Sequence, residues 1–173
     1  MSRNKPREAP FVGPRWWAAA AWLAGALLAQ STILHYVTFR GVEPSFVLVA
    51  VVWYATRVEV RRAAVYGLCA GICEDVLSLQ TGGAWTIATT LVAILVGTLA
   101  RAFFADSIPV VTAVTGLATL VRALIFWLVM SFQGYPAGLG VIHFHAALVE
   151  AALNMTLMFI VILIARRFDT RFA

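Results

Sequence analysis

Residues 44–85 read PSFVLVAVVWYATRVEVRRAAVYGLCAGICEDVLSLQTGGAW. Pro44 opens an apolar run that carries no charge as far as Thr56. Arg57, Glu59, Arg61 and Arg62 then crowd one short turn. A second apolar run follows with Gly67, Gly71, Glu74 and Asp75, and Gly82–Gly83 closes it. Two apolar runs joined by a basic turn read as a helical hairpin in a membrane, with the turn among the headgroups. The first run predicts a span from Pro44 to Thr56. At 1.5 Å per residue it covers only about 20 Å, so it must begin earlier or thin the bilayer. The second run predicts a span from Ala63 to Leu79.

The same pattern continues outward in both directions. Further spans are expected at Trp16–Val37, Trp85–Ala102, Ile108–Phe132 and His145–Ala165. Of the 173 residues, 62% are hydrophobic and 12% charged, with a mean hydropathy of +0.88. A soluble domain carries about a quarter charged residues, so this chain has too little polar surface to cover a globule in water. Six crossings take about 120 residues, which leaves no room for a soluble catalytic domain. The expected fold is therefore all-α, a six-transmembrane-helix bundle. One membrane domain at 16–165 lies between a basic tail at 1–15 and a short tail at 166–173. The first apolar run lacks a signal-peptidase site and reads as a retained span.

The basic residues test this map. Arg3, Lys5, Arg7 and Arg15 precede the first span, and Arg57, Arg61 and Arg62 follow the second. Arg101 follows the fourth, and Arg166, Arg167 and Arg171 follow the sixth. Only Arg40 falls in a loop on the other side, and Arg122 lies inside a span. The basic side is cytoplasmic by the positive-inside rule, so both ends are cytoplasmic. Five crossings instead of six would put the Arg57–Arg62 group outside. The net charge of +5 reflects these orientation signals, and no nucleic acid partner is expected.

Four ionisable residues fall inside spans: Glu74, Asp75, Arg122 and Glu150. Charged groups in hydrocarbon are costly and find partners inside the bundle. Counted from the cytoplasmic ends of their helices, Asp75, Arg122 and Glu150 lie about 18, 21 and 22 Å deep. One layer in the outer half of the membrane therefore gathers opposite charges, with Asn154 one turn below Glu150. The expectation is a buried polar cluster of Arg122 with Glu150, Asp75 or both. It either pins three helices in register, floors an outward pocket, or lets its side chains snorkel outward. Glu74 and Asp75 point about 100° apart and cannot both face one partner. Gly67 and Gly71 share the Asp75 face and suit close helix packing.

Other candidates have plainer readings. Cys69 and Cys73, four apart, read as small packing residues rather than a redox or metal pair. His143 and His145 lack two further ligands. His35 reads as interfacial, as do Trp16, Trp17 and Trp85. Ser31 and Ser45 have no His base, and no nucleophile elbow, HExxH motif or phosphate loop is present. No enzyme activity, metal or cofactor is expected.

The central segment resembles the MreD family, the small membrane subunit of the bacterial rod-shape system. A Pro-led second span, a Gly71–Asp75 spacing and the Gly82–Gly83 turn carry the resemblance over about residues 44–100. It implies a non-enzymatic inner-membrane scaffold with both ends cytoplasmic. The implied partners are an MreC-like single-span protein, the MreB filament and the RodA–penicillin-binding-protein synthase. The implied fold is similar to the substrate-binding subunits of energy-coupling-factor vitamin transporters, and a vitamin or metal uptake subunit is the rival reading. Pro44, Gly67, Gly71, Gly82 and Gly83 would serve helix packing or partner docking. Arg57, Arg61 and Arg62 would touch anionic lipid or an acidic cytoskeletal surface, or only set topology.

Overall fold

The computed structural model describes residues 14–32, 38–78, 81–102 and 107–168. Among them are six α-helices and no strand: α1 Trp16–Thr32, α2 Phe46–Ala55, α3 Val60–Ser78, α4 Ala84–Ala102, α5 Ile108–Phe132 and α6 Gly140–Phe168. A short 3-10 turn, Ala137–Leu139, leads into α6, and one isolated bridge joins Phe39 to Val42. By length and apolar character α5 and α6 can each cross a membrane.

Helix ends follow local chemistry. Ser45 caps α2, its Oγ accepting from the Leu48 amide at 3.1 Å. Pro109, in the first turn of α5, needs no amide donor where none could be paired. Gly82 and Gly83, at φ +52° and +90°, make the left-handed turn ahead of α4.

Neighbours in sequence pack as antiparallel neighbours in space. The α3–α4 contact is the most extensive and α5–α6 the next. α2 touches all five other helices and is the hub of the fold. Val47, Leu48, Val49, Val51, Val52, Tyr54 and Ala55 bury every side of it. A helix that is apolar all round belongs in an interior.

That interior position corrects the expectation for Pro44–Thr56. The helix does not begin earlier; it begins later, at Phe46, with Ser45 extended before it. Its ten residues cover about 15 Å. Jacketed by five helices, a short helix can end at membrane depth if its backbone groups find partners in the protein.

Other limits also move. α3 begins at Val60 rather than Ala63, and α4 at Ala84 rather than Trp85. α6 begins at Gly140, five residues before His145, and carries Arg166 and Arg167 in its last turn. The expected ends at Val37 and Leu79, His35, and the tail residues Arg3, Lys5, Arg7, Glu8, Asp169 and Arg171 lie outside the described residues.

Contacts fix the chain direction. Gln30 of α1 meets the start of α2, while Trp22 meets Trp53 near the end of α2. Tyr54 stacks on Tyr66, Asp75 meets Thr86, and Asn154 of α6 meets Ser45. Arg15, Arg57, Arg61, Arg62, Arg166 and Arg167 consequently share one end of the molecule, and Arg40 lies at the other.

Candidate functional site

The first turn of any helix leaves amide donors without partners inside the helix. For α2 those donors start inside the protein, and a polar junction receives them. The Ser45 amide donates to Asn154 Oδ1 at 2.7 Å, and the Val47 amide to Gln30 Oε1 at 3.2 Å. The Ser45 hydroxyl takes the Leu48 amide and also Arg122 Nη1 at 3.0 Å. Side chains from α1, α5 and α6 thus converge on the beginning of α2.

Arg122 is the centre of the junction. Its Nη2 donates to Glu74 Oε1 at 2.8 Å, and each side chain is only 4% exposed. The second Glu74 oxygen accepts from Thr89 Oγ1 at 3.1 Å. The Arg122 guanidinium also lies 4.3 Å from the centre of the Trp85 ring, which stacks on Phe126. Ion pair, hydroxyl and aromatic face together compensate a cation that would be very costly alone in this setting.

The partner of Arg122 is therefore Glu74, where Glu150 or Asp75 was expected. On α3 the buried residues Ala63, Gly67, Ala70 and Glu74 form an inward stripe at helical spacing. Asp75 sits one position beyond that stripe and turns to the start of α4. Its Oδ1 accepts from Thr81 Oγ1 at 2.6 Å and the Trp85 amide at 3.2 Å. Its Oδ2 accepts from the Thr86 amide at 2.8 Å and Thr86 Oγ1 at 2.5 Å. A carboxylate is well placed at the positive end of a helix.

Asn154 is fully buried and joins the junction, donating to Thr119 Oγ1 at 3.1 Å. Glu150 lies at its edge, accepting from Asn154 Nδ2 at 3.4 Å. The adjoining α5–α6 seam is aromatic: His143 packs on Phe126 and Trp127. Its Nε2 lies 3.0 Å from the Ala123 carbonyl, which makes that nitrogen the protonated one. His145 is exposed.

The glycines divide. A Cβ at Gly67 would fall 2.5 Å from Ala93 Cβ, and one at Gly71 would fall 2.5 Å from Thr86 Cα. Their face is filled by α4, so no other helix can enter there. Gly82 is covered by the Gln133 side chain, whereas among the described residues nothing lies within 4 Å of a Cβ added at Gly83. Pro44 is buried directly before the cap. The three arginines do not act as one patch. Arg57 bonds the Trp53 carbonyl and Thr56, with its guanidinium over the Trp53 ring, while Arg61 and Arg62 are exposed on the first turn of α3.

Sequence reasoning passed over Ser45, Gln30, Thr89 and the pairing role of Glu74. A serine just ahead of an apolar run is an N-cap signature and could have marked Ser45. Trp85 lies beneath Arg122 rather than serving only as an interfacial anchor. Most of the junction's polar atoms are engaged, although Arg122 Nε is buried without a hydrogen-bond partner among the described residues. The Ser45 oxygen already accepts two hydrogen bonds, and both oxygens of Glu74 are engaged. The arrangement immobilises five helices around α2.

Residues 15–168, which include every residue of this junction, match the family model described as rod shape-determining protein MreD. No curated protein matches the chain, and no solved structure does.

Proposed function

Because this chain belongs to the MreD family of rod shape-determining proteins, a membrane family of the rod-shape machinery that is not known for catalysis, we propose that it is a scaffold of the bacterial inner membrane. On this reading the six helices form a six-span bundle at 16–165, similar in fold to energy-coupling-factor substrate-binding subunits. The tails at 1–15 and 166–173 are cytoplasmic. The gathering of arginines at one end supports that orientation.

The observation that carries the scaffold reading is the junction itself. Arg122, Glu74, Asn154, Gln30 and Ser45 are all spent on fixing helices to one another. That chemistry yields a rigid body with fixed outer faces. An MreC-like single-span partner docks on such a face. The outward side of α1, where Ala20, Ala21 and Ala24 are exposed, suits close approach of a partner helix. The Gly82–Gly83 turn lies at the opposite end from the arginines and faces the partner's outer portion. The MreB filament and the RodA–penicillin-binding-protein synthase associate directly or through that partner.

Depletion in a rod-shaped host tests the reading. Cells are expected to round up, wild-type chain to restore rods, and Arg122→Leu to fail. Purification in mild detergent is expected to bring down a single-span protein. Rods that persist on depletion, together with lost uptake of a vitamin, would replace the scaffold with the transporter subunit.

A further inference from the structure

A groove of about 260 Å³ runs between α1, α2 and α6. Trp22, Gly25, Ala29, Ala50, Trp53 and Val161 line it, and the lining is almost wholly apolar. At one end the Trp22 and Trp53 rings approach to 5.5 Å between centres. The Arg57 guanidinium lies beyond them, 4.2 Å from the Trp53 ring centre. This is the arginine-rich end of the molecule. Among the described side chains it carries Arg15, Arg57, Arg61, Arg62, Arg166 and Arg167 against one acid, Glu59.

We propose that this groove holds one acyl chain of an anionic phospholipid, with its headgroup at the arginine-rich end beside Arg57. The proposal rests on the membrane-spanning reading given above. Three observations favour a lipid over a protein helix. A helix with side chains is about 10 Å wide, and the closed tryptophan pair does not admit one. An acyl chain is thin enough to lie along Gly25 and Ala29, where no described side chain fills the space beside Gly25. The charge at the end of the groove selects an anion, and paired tryptophans suit the level where headgroup meets hydrocarbon. An arginine near the headgroups is worth about 1 kcal/mol toward anionic lipid, which corresponds to about a five-fold preference.

Native mass spectrometry of the full chain in mild detergent tests this, with equal amounts of phosphatidylglycerol and phosphatidylcholine added. The wild type is expected to retain one phosphatidylglycerol, with about five-fold preference. Arg57→Gln is expected to retain either lipid equally. Gly25→Leu is expected to lose the bound lipid. Among the described residues no atom lies within 4 Å of a Cβ added at Gly25, so the new side chain starts into open space, and a thermal unfolding curve like that of the wild type checks that the variant is folded. Equal retention of the two lipids by the wild type overturns the proposal, and so does undiminished phosphatidylglycerol on Gly25→Leu. Displacement of a co-purifying single-span protein by Gly25→Leu, with lipid unaffected, assigns the groove to a helix instead. The scaffold reading is judged separately, by cell shape on depletion.

Discussion

Gly67 and Gly71 on α3, and Gly25 and Ala29 on α1, are the same signal in the sequence: small residues four apart in an apolar helix. On α3 the signal is used to the limit. α4 lies so close that a Cβ at Gly71 would meet the Thr86 backbone at 2.5 Å and the Trp85 carbonyl at 2.8 Å. On α1 nothing among the described residues lies within 4 Å of a Cβ at Gly25, and the helix packs chiefly on α2. Small residues permit close approach in a membrane but do not drive it. Lipid tails are as apolar as the helices, so packing and hydrogen bonds decide. The α3–α4 seam is tied by four bonds to Asp75 and by Thr89 to Glu74. α1 is tied to α2 through Gln30. Polar ties therefore separate the rigid part of the molecule from the part left available.

The largest test removes the centre of those ties. Arg122→Leu leaves Glu74 buried without its counter-charge, at an expected cost of about 3–5 kcal/mol. Unfolding in mild detergent, followed by denaturant titration, measures it. Replacing both Arg122 and Glu74 by Leu is expected to recover much of the loss, because neither charge is then left alone. A double variant as unstable as the single one would mean that the Ser45 and Trp85 contacts of Arg122, not the ion pair, hold the junction.

Gly71→Ala comes next. The added methyl meets backbone, which cannot rotate away, so α3 and α4 must separate. Overpacking of this kind costs about 1–3 kcal/mol. Thermal unfolding in detergent is expected to show the drop, and Gly67→Ala a similar one through Ala93. Asp75→Asn follows, at about 1–2 kcal/mol, since the amide offers a donor where two donors already point and removes the charge from the start of α4. If Asp75→Asn is silent while Gly71→Ala is not, packing alone holds the seam.

The same contrast explains what could be read from the sequence. Composition and run length made the all-helical fold legible, because apolar length is a property of the chain alone. The limits of α5 were legible as well, since Pro109 and Gly134 punctuate them. That Arg122 and Asn154 are buried followed from the cost of leaving them elsewhere. Which carboxylate pairs with Arg122 did not follow. Glu74 and Asp75 are adjacent, and the choice depends on the rotation of α3, which α4 sets through Gly67 and Gly71. Nor was the depth at which α2 starts legible, because its shortness is tolerable only once five other helices surround it.

The smallest expected effect is the most informative about α1. In Gly25→Ala the new methyl points into the groove and meets nothing within 4 Å among the described residues. Alanine is favoured over glycine inside a helix by up to about 1 kcal/mol, so the purified chain should be unchanged or slightly more stable. The opposite sign is expected for Gly71→Ala, although the substitution and the local sequence pattern are the same. Paired thermal unfolding curves in one detergent decide it. If both variants lose stability equally, α1 is packed as tightly as α3, and the division between tied and available helices does not hold. If they diverge, the space beside Gly25 is a surface feature of the folded chain that the other described helices leave unfilled.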